Sequence, residues 1–501
     1  MICYRSYAGL LAILFALPFA SAQTEPVHGE QPDALVIRNV TYVDGAGVPA
    51  RGPATIVVRD GKIDSILGAT SPIPKMEGDV RIIDGTGKYA LPGFINMHAH
   101  LHGPWGFNSL PLQYIYDLWL ACGITTVRDV GSVASATLEE RDQSADGEIA
   151  APRIFAYLWF PTGSVTGGLN TAERLSEKWL REEVRKLKKM GADGMKLRHF
   201  DRDTISIVMD EAKKQGLRIA HHIGVEDFDA LDNAALGTTT IEHWYGIPEA
   251  AIPGVQEFPA DFTYANELLR FRYAGRVWRE ADPERLDHVL ESLVEAEVGW
   301  NPTFAIYEAA RDLQRALTQP AFDDYLHPAL ARYFEPDPSK HGSFFFGWTN
   351  TDEVYWRENY RIWMDAVKAF SDMGGLVTTG EDAGFIYQLF GFCYLRELQL
   401  HEEAGFHPIE VIEHATRNGA KALGREHDLG RIRPGHIADI VVVNGNPLEN
   451  LQVLMPRGLN ETLDAQSGGG IEWTIKDGIP YEAEVLLAEA RAMVSSARSE
   501  K

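Results

Sequence analysis

Between residues 91 and 380, short β-prone runs recur at 91–100, 125–130, 153–159, 194–198, 218–223, 238–243, 298–304 and 376–380, with helical stretches between them. One such stretch, Thr171 to Met190, is rich in Glu, Lys and Arg. Alternation of this kind makes neighbouring strands parallel, because each helix carries the chain back to the starting edge. Eight repeats suit a (β/α)8 barrel, an α/β fold of the TIM type, expected here over 91–423. Two connections, 246–297 and 305–375, are far longer than ordinary barrel loops and rich in aromatics, among them Phe344-Phe345-Phe346-Gly347-Trp348. Insertions of this length either roof the strand ends or simply pack on the barrel wall.

The flanks read differently. Ala34-Leu35-Val36-Ile37, Thr55-Ile56-Val57-Val58 and Lys62-Ile63-Asp64-Ser65-Ile66 are strand-like, and Asp60-Gly61 between two of them is a hairpin turn. Past the barrel, Ile437 to Val443 and Ile471 to Ile475 are strands again. Segments 23–90 and 424–482 are expected to build one small β-sandwich domain from both chain ends, with 483–501 left as a solvent-facing C-terminal helix or tail.

The first 22 residues have the pattern of a secretory signal peptide. Arg5 precedes an apolar run, Ala8 to Phe19, and Ala20-Ser21-Ala22 is a small-x-small cleavage site. The run is too short to span a membrane and no second one follows. The expectation is export, to a periplasm or the medium, after cleavage near Ala22. The chain carries 71 acidic against 47 basic residues, a formal net charge of −24. Such a surface repels nucleic acid and anionic membranes. It does not exclude a small-molecule or short-peptide substrate, and it leaves a homo-oligomer open. Cys3 falls in the leader; Cys122 and Cys393 are too few and too far apart for a disulfide framework.

Barrel chemistry sits at the C-terminal ends of the strands. The first run ends in Met97-His98-Ala99-His100, and in a strand residues i and i+2 share a face, so both imidazoles reach one cation. Later runs end in Lys196, in His221-His222, in His243 and in Asp382. Singly, each has a bland reading as a core histidine, a salt-bridging lysine or a helix cap. Together, at successive strand ends of one barrel face, they need a common partner. Histidines with a carboxylate suit zinc or a similar divalent ion.

Pro92 to His100, Gly123 to Gly131, Ile241-Glu242-His243 and Gly435-His436-Ile437-Ala438-Asp439 together resemble the amidohydrolase superfamily, in its imidazolonepropionase-like and prolidase-like branch. The resemblance spans nearly all of the chain past the leader. It implies two Zn2+ ions per chain bridged by a carboxylated Lys196. His98, His100 and Asp382 would hold one ion, His221 and His243 the other, with His222 on the opposite face. It also marks two departures. Asn96 stands where many members have Asp, and Leu169 follows Thr166-Gly167-Gly168 where His is common.

The expected activity is hydrolysis of an amide or peptide-like C–N bond, in a dipeptide, an N-acyl amino acid or a similar amide. A metal-bridging hydroxide would attack, and Asp382 would move the proton. Tyr245, His102, Arg128 and Trp300 lie near strand ends and are the candidates for substrate contact. Two rivals stand beside this reading. One is a mononuclear deaminase or cyclic imidate or amide hydrolase of the same fold. The other is a binding protein that has lost catalysis.

Overall fold

The computed structural model describes residues 25, 27–101, 110–161, 176–198, 200–223, 228–254, 266–458 and 469–500. The leader, His102 and Thr166 to Leu169 lie outside the described residues.

Five strands come first: β1 (Ala34–Tyr42), β2 (Arg51–Arg59), β3 (Lys62–Gly68), β4 (Val80–Asp84) and β5 (Lys88–Pro92). β2 turns into β3 through Asp60 and Gly61, with φ of 48° and 69°. Two successive left-handed residues give the tight hairpin whose twist matches its strands.

The barrel strands follow in sequence: β6 (Phe94–Ala99), β7 (Ile124–Asp129), β8 (Arg153–Trp159), β9 (Gly194–Leu197), β10 (Arg218–His221), β11 (Thr240–Glu242) and β12 (Gly299–Asn301), each parallel to the next. The eighth stave, 376–382, closes the ring without being a regular strand. Val377 bridges Trp300, Thr378 N–H donates to Trp300 O at 3.0 Å, and Met97 N–H donates to Thr379 O at 2.9 Å. The stave bends because Gly380 presses on β6, where an added Cβ would stand 2.7 Å from His98 Cβ.

The inside of the barrel is defined by one long side chain. Arg128 on β7 hydrogen-bonds Thr240 and Glu242 on β11, across the ring, so all three point inward. The register carries that parity around the wall. Arg128 pairs with Phe155, Tyr157 with Gly194, Trp159 with Lys196, and Lys196 with Ala220. Ile219 and Ile241 take the other parity and pack in the layer under the helices.

The chain then returns to its first sheet through β13 (Ile440–Asn444), β14 (Gly470–Lys476) and β15 (Ile479–Glu482). Eight strands from both chain ends form one mostly antiparallel sheet, in the order β15-β14-β13-β5-β1-β2-β3, with β4 on β1. Arg153 of β8 pins the sheet to the barrel by pairing with Asp439 and Asp477.

The helix expected over 171–190 is described from Glu177 to Met190, started by Ser176, whose side chain accepts from Trp179 N, and stopped by left-handed Gly191. The two insertions pack on each other through their aromatics. Phe271 of the first stacks with Phe344 at 4.0 Å and with Tyr307 and Trp356 of the second. The C-terminal helix corrects an expectation. Ala483–Ser499 is not a free solvent-facing element. It buries Leu486, Leu487, Ala490 and Val494, and packs on the helix Leu112–Ala121. That spacing is one helical stripe, and it hides apolar area that a tail would have exposed. Cys122 and Cys393 are buried free thiols. Among the described residues, no helix is long and apolar enough to cross a membrane.

Candidate metal centre

Three imidazoles converge on Asp382. His100 Nε2 lies 3.2 Å from Asp382 Oδ1 and His98 Nε2 lies 3.6 Å from the same oxygen; His243 Nε2 lies 3.8 Å from Oδ2. One donor atom each from His98, His100 and Asp382 falls within 4.8 Å of the others, which is a metal-sized cluster. Every ring is oriented from behind through Nδ1. His98 donates Nδ1–H to Glu242 at 2.7 Å and His100 to Gly131 O at 3.4 Å. His243 Nδ1 meets Thr303 Oγ1 at 2.6 Å; that hydroxyl gives its own proton to Pro302 O, so the imidazole is the donor. All three rings therefore turn a lone pair on Nε2 toward the same space, the arrangement of oriented metal ligands.

The backbone does part of the aiming. Glu242 and His243 are consecutive, and an extended chain would send one of them outward. His243 instead takes φ 64°, and Asp382 takes φ 49°. Left-handed backbone is uncommon outside glycine, though His and Asp tolerate it better than most.

Behind the imidazoles lies a buried charge network. Glu242 accepts from Arg128 at 2.6 Å and Thr240 at 2.6 Å on Oε1, and from His98 at 2.7 Å and Asn301 at 2.8 Å on Oε2. Burial pushes its carboxyl upward, but the Arg128 guanidinium and the His98 hydrogen bond outweigh this and hold it well below the carboxylate range. Burial depresses His98 to about 4, so its imidazole is neutral and ready to ligate at neutral pH. Asp382 is likewise pushed up by burial, yet its imidazole neighbours hold it below the usual range.

Lys196 is buried, and its Nζ has no hydrogen-bond partner. Burial lowers its pKa, Glu242 and Asp382 pull it partly back, and it comes to about 8. A buried unpaired amine is costly, so this donor fits a group supplied from outside the chain.

The adjacent histidines find different partners. His221 is paired in register with Ile241, which packs outward. Its ring lies 5.3 Å from that of Phe228, and its Nδ1 bonds Asn233 of the helix Ala230–Leu236 at 2.8 Å, though its Nε2 has no partner. His222 stands one pleat on, with Lys196 and Ala220, and its half-buried ring lies 4.7 Å from that of His243. His222 thus lies beside His243, while His221 has the form of an oriented donor, its Nδ1 held by Asn233 and its buried Nε2 left open.

Three expected substrate contacts are also corrected. Arg128 and Trp300 are 0 % exposed and Tyr245 is 1 % exposed. Arg128 spends its nitrogens on Met97 O, Thr240 and Glu242. Trp300 donates Nε1–H to His243 O, and Tyr245 stacks behind His222. All three lie behind the cluster, bonded to or packed against its neighbours. Glu242 and Thr303 escaped the sequence reading; Glu242 adjoins His243 in Ile241-Glu242-His243, whereas nothing in the sequence flags Thr303.

The profile of the amidohydrolase family matches residues 89–252 and 362–478, more than half of the chain. The chain belongs to the amidohydrolase family. Members generally bind divalent metals. Among curated relatives, a Thermus aquaticus dihydroorotase is 37 % identical over 70 residues, 14 % of this chain and 14 % of that protein. A Rhizobium radiobacter D-hydantoinase is 27 % identical over 214 residues, 40 % of this chain and 41 % of that protein. The matches thus span less than half the length of these relatives. Among solved structures, a bottromycin amidohydrolase superposes with a TM-score of 0.66 at 19 % identity, covering 94 % of this chain and 92 % of that one. A Xaa-Pro dipeptidase does so at 0.61 and 20 %, covering 90 % and 100 %. At these identities the likeness is one of fold.

For this amidohydrolase, Glu242→Gln leaves the Arg128 guanidinium buried without its counter-charge and His98 without a charged acceptor. Loss of a buried partner costs about 3–5 kcal/mol, and loss of an orienting partner lowers metal affinity about 10–100-fold. Thermal unfolding and metal titration should show both.

In metal-stripped protein, the lowered pKa of Lys196 penalises the folded state below about 8. The unfolded chain binds the extra proton between that value and the ordinary lysine value of 10.5, so stability should rise with pH across this window. Lys196→Met should stabilise the stripped protein at pH 7 by up to about 3 kcal/mol and flatten the dependence. Denaturant unfolding at several pH values measures it.

Proposed function

We propose that this amidohydrolase hydrolyses an amide or peptide-like C–N bond with two divalent ions, zinc foremost, bridged by a carboxylated Lys196. The observation that carries the reading is the meeting of His98, His100, His243 and Asp382 beside a buried Lys196 amine that has no partner in the chain. His98, His100 and Asp382 would hold one ion; His221, whose buried Nε2 has no partner, and His243 would hold the other. Lys196 would contribute to both after its neutral amine adds carbon dioxide and sheds a proton, which turns a cation into an anion among cation ligands.

When bound, the ions supply an acidified water and polarise the scissile carbonyl. Asp382 takes the proton of the attacking water and returns it to the leaving nitrogen, a role set by its reach. Glu242 and Thr303 keep Nδ1 of their histidines protonated, so Nε2 stays a lone-pair donor. The names of the relatives support C–N hydrolysis and suggest two substrate shapes. Dihydroorotase and D-hydantoinase point to a cyclic amide, and Xaa-Pro dipeptidase to a linear one. The cyclic amide hydrolase with a single ion is therefore the second reading.

A panel of dipeptides, N-acyl amino acids and hydantoins, offered to zinc-loaded protein, separates the two. The expectation is turnover of linear amides with two ions per chain by elemental analysis; one tightly held ion would sink the two-metal reading. Asp382→Asn should lower kcat about 10²–10⁴-fold, and unchanged turnover would remove Asp382 as the proton carrier. Export is proposed from the leader pattern of residues 1–22, and N-terminal sequencing of exported protein should begin near Gln23.

A further inference from the structure

Thr303 stands immediately before the short 3-10 turn Phe304–Tyr307, where a threonine ordinarily acts as a cap. A capping threonine has extended backbone and accepts the amides of the following turn on its own hydroxyl. Thr303 does neither. Its φ is 52°, and its hydroxyl donates to Pro302 O while accepting from His243 Nδ1. The first amides of the turn go to another side chain. Ala305 N–H donates to Glu397 Oε2 at 2.7 Å, and Phe304 N–H bonds the same carboxyl. Glu397 comes from the helix Phe392–Glu403, 92 residues beyond Ala305. The carbonyls of the turn are held as well, Phe304 O by the Tyr360 hydroxyl and Ala305 O by Gln388 Nε2 at 2.9 Å.

Glu397 is 0 % exposed, and burial pushes its carboxyl up to about 8, so it carries a proton at neutral pH. A buried O–H needs an acceptor. His401, one helical turn on, offers it: its Nε2 lies 3.2 Å from Glu397 Oε1, and burial holds the imidazole neutral, with its pKa lowered to about 3. His401 Nδ1 lies in turn 3.2 Å from His414 Nδ1. With the proton on Oε1, Oε2 is the carbonyl oxygen presented to the turn. This buried chain of Glu397, His401 and His414 stands apart from the imidazoles around Asp382, and the turn it grips begins at Thr303.

We infer that Glu397 is a positioning residue for His243: it caps the turn in place of Thr303 and so leaves the Thr303 hydroxyl to hold the Nδ1 proton of His243. Without Glu397 the orphaned amides recruit the nearest hydroxyl, Thr303 relaxes to the extended backbone of a cap, and His243 loses its acceptor. The inference rests on the proposed two-ion site only in taking His243 as a ligand.

The test uses full-length protein carrying isotope-labelled histidine, first stripped of metal. Proton–nitrogen correlation spectra read which His243 nitrogen is protonated, with His243→Gln giving the assignment. The native protein should show Nδ1–H. Glu397→Met should shift His243 toward Nε2–H and weaken binding of the second zinc about tenfold. Glu397→Gln keeps a carbonyl for the turn and an N–H for His401, and should restore both readouts. Thr303→Val should copy Glu397→Met in zinc affinity, and the double variant should lose no more than either alone, because both act through one hydroxyl. A merely structural role would leave the tautomer native and let the losses multiply to about a hundredfold. Should Glu397→Met not fold, Glu397→Asp withdraws the carboxyl by one methylene and the same shift is expected. If no amide is cleaved yet the tautomer follows Glu397, the hydrolysis reading fails and this inference stands. A native tautomer in the folded Met or Asp variant, or losses that multiply, overturns it.

Discussion

The centre depends on a buried ion pair between Arg128 and Glu242. Arg128 crosses the barrel from β7 to β11, and Glu242 gathers donors from β6, β7, β11 and β12. A lone carboxylate at 0 % exposure would take up a proton rather than stay charged. The guanidinium keeps it ionised, and an ionised Glu242 keeps the proton of His98 on Nδ1. The open lone pair on Nε2, which suits His98 to a ligand's role, therefore begins with a charge on a strand across the barrel. The same pair fixes which side chains are inside, because an arginine that reaches across the ring leaves its register partners no choice of face.

Sequence alone carried much of this. Seven of the eight barrel strands and all the histidine-bearing strand ends lie where alternation places them, because a β-prone run between helices is a local signal. The eighth stave was legible as a position and not as a conformation. Gly380 is squeezed against His98 and Asn301, a contact made only after the ring has closed. The His221-His222 pair shows the same limit. The partners each ring finds, Asn233 for His221 and the His243 ring for His222, are invisible to a reading of residues 218–223. The buried places of Arg128, Tyr245 and Trp300 were hidden for the same reason: nearness to a strand end does not distinguish the mouth from the wall beneath it.

Where the backbone leaves the extended region, the sequence offers little warning. His243, Thr303 and Asp382 all have positive φ. Each such residue costs about 1–3 kcal/mol and persists only where its surroundings over-determine it. Here they do. Trp300 bonds the His243 carbonyl, Thr303 Oγ1 is fixed by Pro302 O, and Asp382 N–H donates to His98 O at 2.9 Å. Strain concentrated on two candidate ligands and the partner of one of them is the pattern of a preorganised site.

The departure at Asn96 now has a physical account. Its Oδ1 accepts from His98 N–H and Glu381 N–H, both at 3.2 Å, so the carbonyl end does the positioning a carboxylate would do. What differs is the neighbour. Glu381 is buried, bonded by Trp119 and by Gly391 N–H, and burial pushes its carboxyl up to about 8. An aspartate at 96 would set a second buried acid beside Glu381 and two residues from His98. Two adjacent buried acids disfavour being charged together, which would drive one of them to hold a proton. Asparagine keeps the hydrogen bonds and removes the charge. The exchange at 96 is therefore tied to the acid at 381, and the pair belongs to one local electrostatic constraint.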